Sequence, residues 1–155
     1  MFNWYASSVS TYTAPAPTTA LPPPEVHVVS DEGSARTRRL TLDIRSARGA
    51  TGRLALLFNT PALRSIRVNG VAPPAPTQRH RPNLAPGWHQ AVVRGAAEAR
   101  VEIVLGRDKP LDIIVSDTSY ELPPSGAALA AARNASVAVP VHDGDTTTVL
   151  RRLRL

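Results

Sequence analysis

The 155-residue chain is predicted to be all-β, a two-sheet antiparallel β-sandwich carrying one short helix. Three observations predict it. Short runs of alternating apolar and polar residues, rich in Val, Ile and Leu, recur from residue 25 to residue 155. Gly, Pro, Asn and Asp punctuate them as turns do. No long helical pattern alternates with them, which removes a parallel βαβ sheet and leaves an immunoglobulin-like or jelly-roll-like sandwich.

Residues 1–24 (MFNWYASSVSTYTAPAPTTALPPP) set Phe2, Trp4, Tyr5 and Tyr12 in a Ser, Thr, Ala and Pro background ending in three prolines. Proline fixes φ and lacks an N–H donor, so this stretch is expected to run extended as a linker leaving something upstream. Its aromatic residues suit a belt packed on a neighbour or a membrane interface. The first strand is expected over residues 25–30 (EVHVVS). The second, residues 39–46 (RLTLDIRS), puts Leu40, Leu42 and Ile44 on one face and Thr41, Asp43 and Arg45 on the other. Gly49 and Gly52 supply a turn, after which residues 53–59 (RLALLFN) are expected to complete an antiparallel hairpin with 39–46.

Residues 65–68 (SIRV) lead into Asn69-Gly70, the dipeptide best suited to a tight hairpin turn, with Val71 and Ala72 returning. Five prolines in residues 73–87 forbid regular structure and predict a long surface loop. Alternation resumes in residues 88–94 (WHQAVVR), 100–105 (RVEIVL) and 111–117 (LDIIVSD), the last with Ile113 and Val115 on one face. The alanine-rich residues 125–134 predict a helix of one or two turns, too short to persist without packing. Residues 136–141 and 147–155 are the closing strands, with a turn at residues 142–145. No internal repeat is present, which excludes a propeller or solenoid.

An apolar share of 43% in 155 residues suffices for one core, hence one domain over residues 25–155 behind the lead-in. The absence of cysteine excludes disulfides and thiolate metal sites. No apolar run approaches the roughly 20 residues of a membrane helix, and residues 1–24 lack the basic start and apolar centre of a signal peptide. The net charge of +6 comes almost wholly from arginine, Lys109 being the sole lysine. Its dense groups, Arg36, Arg38 and Arg39, then Arg151, Arg152 and Arg154, lie at strand ends, and aromatics are only 5%. Nucleic-acid grooves interleave clustered cations with stacking rings, so nucleic acid is not an expected partner.

His142, Asp143 and Asp145 offer oxygen and nitrogen ligands in the string HDGD, but the same residue types are what a tight turn demands, and no metal is expected. A small hydrolase would use His80, His89 and Asp112 or Asp117, yet nothing in their spacing makes them neighbours, and no G-x-S-x-G elbow is written. No catalytic or cofactor-binding residue is therefore assigned. The string SDTSYELPP, residues 116–124, reads as a capped turn that ends a strand, with Tyr120 carrying a polar tip on an apolar body. Trp88, His89, Tyr120, Arg79 and Arg81 form the expected binding surface, since rings stack and guanidinium groups bond planar acceptors.

Three strings taken together, the aromatic and Pro-rich lead-in, DTSYELPP after an apolar strand and GDTTTVLRRLRL at the end, give a resemblance. The chain resembles the carboxy-terminal domain of membrane-bound zinc metallopeptidases similar to endoplasmic reticulum metallopeptidase and vacuolar membrane protease. That resemblance implies an upstream zinc-dependent peptidase domain, then membrane helices, then this β-rich domain on the peptidase's side of the membrane, which in a bacterium is the periplasm. It implies that the zinc ligands lie upstream and that no residue here is catalytic or holds a cofactor. Phe2, Trp4 and Tyr5 would then follow the last membrane helix at headgroup level. The expected role is a non-catalytic accessory domain that stabilises its parent or contacts substrate or another protein. The alternative is a carbohydrate-binding module using Trp88, Tyr120 and the loop arginines.

Overall fold

The computed structural model describes residues 18–49, 52–74, 84, 86–106, 111–132 and 145–155. Within them lie eight strands: β1 (Glu25–Gly33), β2 (Thr37–Arg45), β3 (Arg53–Asn59), β4 (Leu63–Val68), β5 (Trp88–Arg94), β6 (Glu98–Gly106), β7 (Asp112–Ser119) and β8 (Thr147–Arg154). They form two four-stranded antiparallel sheets, β1-β2-β6-β4 and β5-β3-β7-β8. In immunoglobulin lettering, β1, β2, β6 and β4 take the places of A, B, E and D, and β3, β7 and β8 those of C, F and G. β5 is an additional strand on the free edge of β3, inserted in the chain between the D-like and E-like strands. The order matches the immunoglobulin-like option and not the jelly roll.

Strand patterning explains the layers. β2 and β6 alternate strictly, sending Leu40, Leu42, Ile44, Val101, Ile103 and Leu105 into the core. From the other sheet come Leu54, Leu56, Phe58, Ile113 and Val115, all at or near zero exposure. β3 and β7 are buried on both faces, because they are the central strands of their sheet and Ala55, Leu57 and Ile114 form a second apolar cluster on its outer side.

The expected hairpin of residues 39–46 with 53–59 does not exist. β2 pairs with β1 and β6, whereas β3 pairs with β5 and β7 in the opposite sheet. The physical reason is the continuous apolar run of β3: a strand buried on both faces belongs at the centre of a sheet, not beside the half-solvated β2. The first hairpin is instead β1–β2, whose turn is tied by Ser34, its Oγ accepting from the Thr37 N–H at 3.2 Å and its N–H donating to the Thr37 carbonyl at 2.7 Å.

Asn69 and Gly70 do turn the chain, both at positive φ (50° and 78°), but the return is a single bridge from Val68 to Val71. The helix expected over residues 125–134 opens as a 3-10 turn over Pro124–Gly126 and continues as α-helix over Ala127–Ala132, its last two expected positions lying outside the described residues. The strand expected at residues 136–141 lies outside the described residues, as does most of the loop of residues 73–87.

Candidate functional site

One end of the sandwich gathers residues far apart in sequence. Asp117, on the inward face of β7 opposite Leu54, is fully buried. Its carboxylate accepts from the Ser46 hydroxyl at 2.6 Å and from the Arg48 guanidinium. Arg48 lies in the crossover from β2 to β3, and its remaining N–H groups donate to Ser119 Oγ (2.9 Å) and to the carbonyls of Asp117 and Thr147 (3.2 Å each). The central strand β7, the edge strand β8 and the crossover are thereby locked around one ion pair. A buried carboxylate so matched is satisfied rather than reactive.

The strand expected to end at residue 117 runs on through the start of the string read as a capped turn. Asp117, Thr118 and Ser119 are buried strand residues, and the chain leaves the sheet only at Tyr120, a residue 56% exposed whose ring lies over Gly52. A Cβ at Gly52 would come within 2.1 Å of that ring, so the residue is glycine because Tyr120 packs on its backbone.

The lead-in meets the same end. Pro24 is buried and its carbonyl accepts from Arg151 Nη1 at 3.4 Å, while Thr19 and Ser125 share a hydroxyl hydrogen bond of 2.6 Å. Leu21, Leu122, Pro123, Ala127, Arg48 and Thr147 line a cleft of about 350 Å³ between lead-in and sandwich. Residues 18–24 are therefore extended, as proline demands, and packed against the domain.

The proposed surface residues separate. Trp88 and Tyr120 belong to opposite ends of the β5-β3-β7-β8 sheet, more than about 20 Å apart along the strands at the usual rise. Arg79 and Arg81 lie outside the described residues, with His80, His142, Asp143 and the aromatic residues of the first seventeen positions. His89 faces inward, opposite the core residue Phe58, contrary to its expected place on the binding surface. Its ring stacks on Phe58 at 5.4 Å, and its Nε2–H donates to the Thr60 carbonyl at 2.9 Å. Counted by register, His89 and Asp117 are four residues apart along the sheet, about 13 Å, and two strands apart across it. Proton transfer needs hydrogen-bond reach, so these two are not an acid–base pair.

The outer face of the β1-β2-β6-β4 sheet is a charge ladder. Asp43 takes a bidentate pair from Arg100 (2.7 and 2.8 Å), and a single Glu25 oxygen accepts both Nε–H and Nη2–H of Arg45. The Arg100 hydrogen bonds hold the Asp43 carboxyl below its ordinary value. A shallow basin of about 680 Å³ lies over these residues, and two pairs of its charges, Asp43 with Arg100 and Glu25 with Arg45, bond each other. Among the described residues no group of three His, Asp, Glu or Cys side chains is placed to hold a metal ion, and no helix is long and apolar enough to cross a membrane.

Compared with protein-family models, curated proteins and solved structures, the chain matched none.

Proposed function

We propose that this chain is a non-catalytic accessory domain of a membrane-anchored, zinc-dependent peptidase, on the extracytoplasmic side, where it stabilises the parent and offers a contact surface to substrate or another protein. What supports the reading is the corner around Arg48 and Asp117. The strings that carry the resemblance, DTSYELPP and the final strand, are neighbours there: β7 pairs with β8 from Ser119↔Thr147 to Asp112↔Arg154, and Arg48 bonds both strands. The Pro-rich lead-in docks on the same corner through Pro24 and Thr19. A proline-rich segment seated on the domain over residues 18–24 gives the chain a fixed point of entry into the sandwich, which suits a spacer or brace. The buried polar groups of the corner are consumed in holding strands together, which suits a structural rather than a chemical role.

The test is an antibody raised against this chain and used on cells that express it. The expected result is a membrane-sedimenting polypeptide several times larger than 16.5 kDa whose immunoprecipitate carries chelator-sensitive aminopeptidase activity. A soluble species of 16.5 kDa without that activity would overturn the proposal.

A further inference from the structure

The outer face of the β5-β3-β7-β8 sheet holds a row of side chains that the corner does not use. Register places Trp88, Asn59, Asp112 and Arg154 side by side on four successive strands, with Gln90 and Arg152 in the next row. Three strand spacings make the row about 14 Å long. Its floor is apolar: Trp88 and Leu84 pack against Ala55, Leu57 and Ile114.

The polar members are poised but unspent. Asn59, Gln90 and Asp112 are half-buried and, among the described residues, their side chains make no hydrogen bond. Arg152 and Arg154 are exposed, and Arg154 forms no ion pair with Asp112 although the two are register partners. Some facing charges on the other sheet pair, as Asp43 with Arg100, and others stay apart, as Glu32 with Arg39 and Arg67 with Glu102. What the open Asp112–Arg154 pair contributes is availability: both groups can meet a ligand without first breaking an ion pair.

From this arrangement we propose that the row binds a short acidic oligosaccharide. A sugar ring presents an apolar C–H face, which suits Trp88, and hydroxyls that both donate and accept, which suit the amides of Asn59 and Gln90. Asp112 accepts from hydroxyls, and Arg152 and Arg154 supply planar donors complementary in charge to a sugar carboxylate. An extended peptide is less well served, because strand addition runs along a sheet edge, here β5 or β8, and not across the face on which the row lies. The inference does not depend on the peptidase reading, which survives if it fails.

Titration of the whole chain with trigalacturonate, followed by calorimetry and tryptophan emission, tests it, with galactotriose as the neutral probe. The expected result is saturable binding of trigalacturonate. Arg152→Gln with Arg154→Gln should weaken it about tenfold or more, the scale of a lost charge-assisted hydrogen bond, and leave galactotriose binding unchanged. Asp112→Asn, which keeps shape and fold, should weaken both. Absence of saturable binding overturns the proposal, as does binding indifferent to these three substitutions or equal affinity for the neutral probe.

Discussion

Replacing Arg48 with methionine isolates the energetic role of the buried corner. Arg48 is 13% exposed and Asp117 is wholly buried, so the substitution leaves an ionised carboxylate with one donor, the Ser46 hydroxyl. Removing one partner of a buried ion pair costs about 3–5 kcal/mol, because the surviving charge is stranded in low dielectric. A domain's whole stability is only about 5–15 kcal/mol. For a sandwich of this size the loss corresponds to a fall in melting temperature of roughly 10–20 °C. The assay is urea unfolding followed by circular dichroism, with the midpoint and slope fitted separately. Arg48→Met combined with Asp117→Leu removes both charges beside Leu54 and Val149, and should recover most of the loss. A cost below about 1 kcal/mol for Arg48→Met, the range of an exposed pair, would refute the reasoning, as would a double variant no more stable than the single one.

Asp31 is held below its ordinary carboxyl value, chiefly by the hydrogen bond from Arg38. A depressed folded-state value means that the stabilisation is present above the unfolded value near 4 and is lost as pH falls through the folded one. The difference in urea midpoint between the parent and Asp31→Asn should therefore be constant near neutrality and vanish in acid; a difference that grows in acid contradicts it. Gly52→Ala should displace the Tyr120 ring, so its cost should disappear in a Tyr120→Ala background, and strict additivity in the double-mutant cycle contradicts the contact. Gly70→Ala meets no atom within 4 Å but forces a side chain to positive φ, and should cost about 1 kcal/mol by unfolding midpoint, whereas a neutral result contradicts the left-handed turn.

The strands were legible where local chemistry decides them. β2 and β6 alternate because one face meets the core and the other water, and Asn69-Gly70 turns because its residues accept positive φ. Sheet membership is a matter of long-range pairing, and there local pattern misled. Proximity in sequence suggested β2 with β3, although the unbroken apolar run Leu54–Phe58 was the available sign of a central strand. The corner was less legible still. Arg48 is one arginine among many in the sequence, and nothing local says that it reaches Asp117, sixty-nine positions away. His89 was misread for the same reason: its inward direction is fixed by register with Phe58 across the sheet. The row from Trp88 to Arg154 exists only through three strand pairings.

If this chain is the accessory domain of a membrane-anchored peptidase, sequencing the DNA upstream of the Met1 codon will find a continuous reading frame that encodes a zinc-peptidase domain followed by membrane-spanning helices; a stop codon or a secretion signal immediately before Met1 would rule that out.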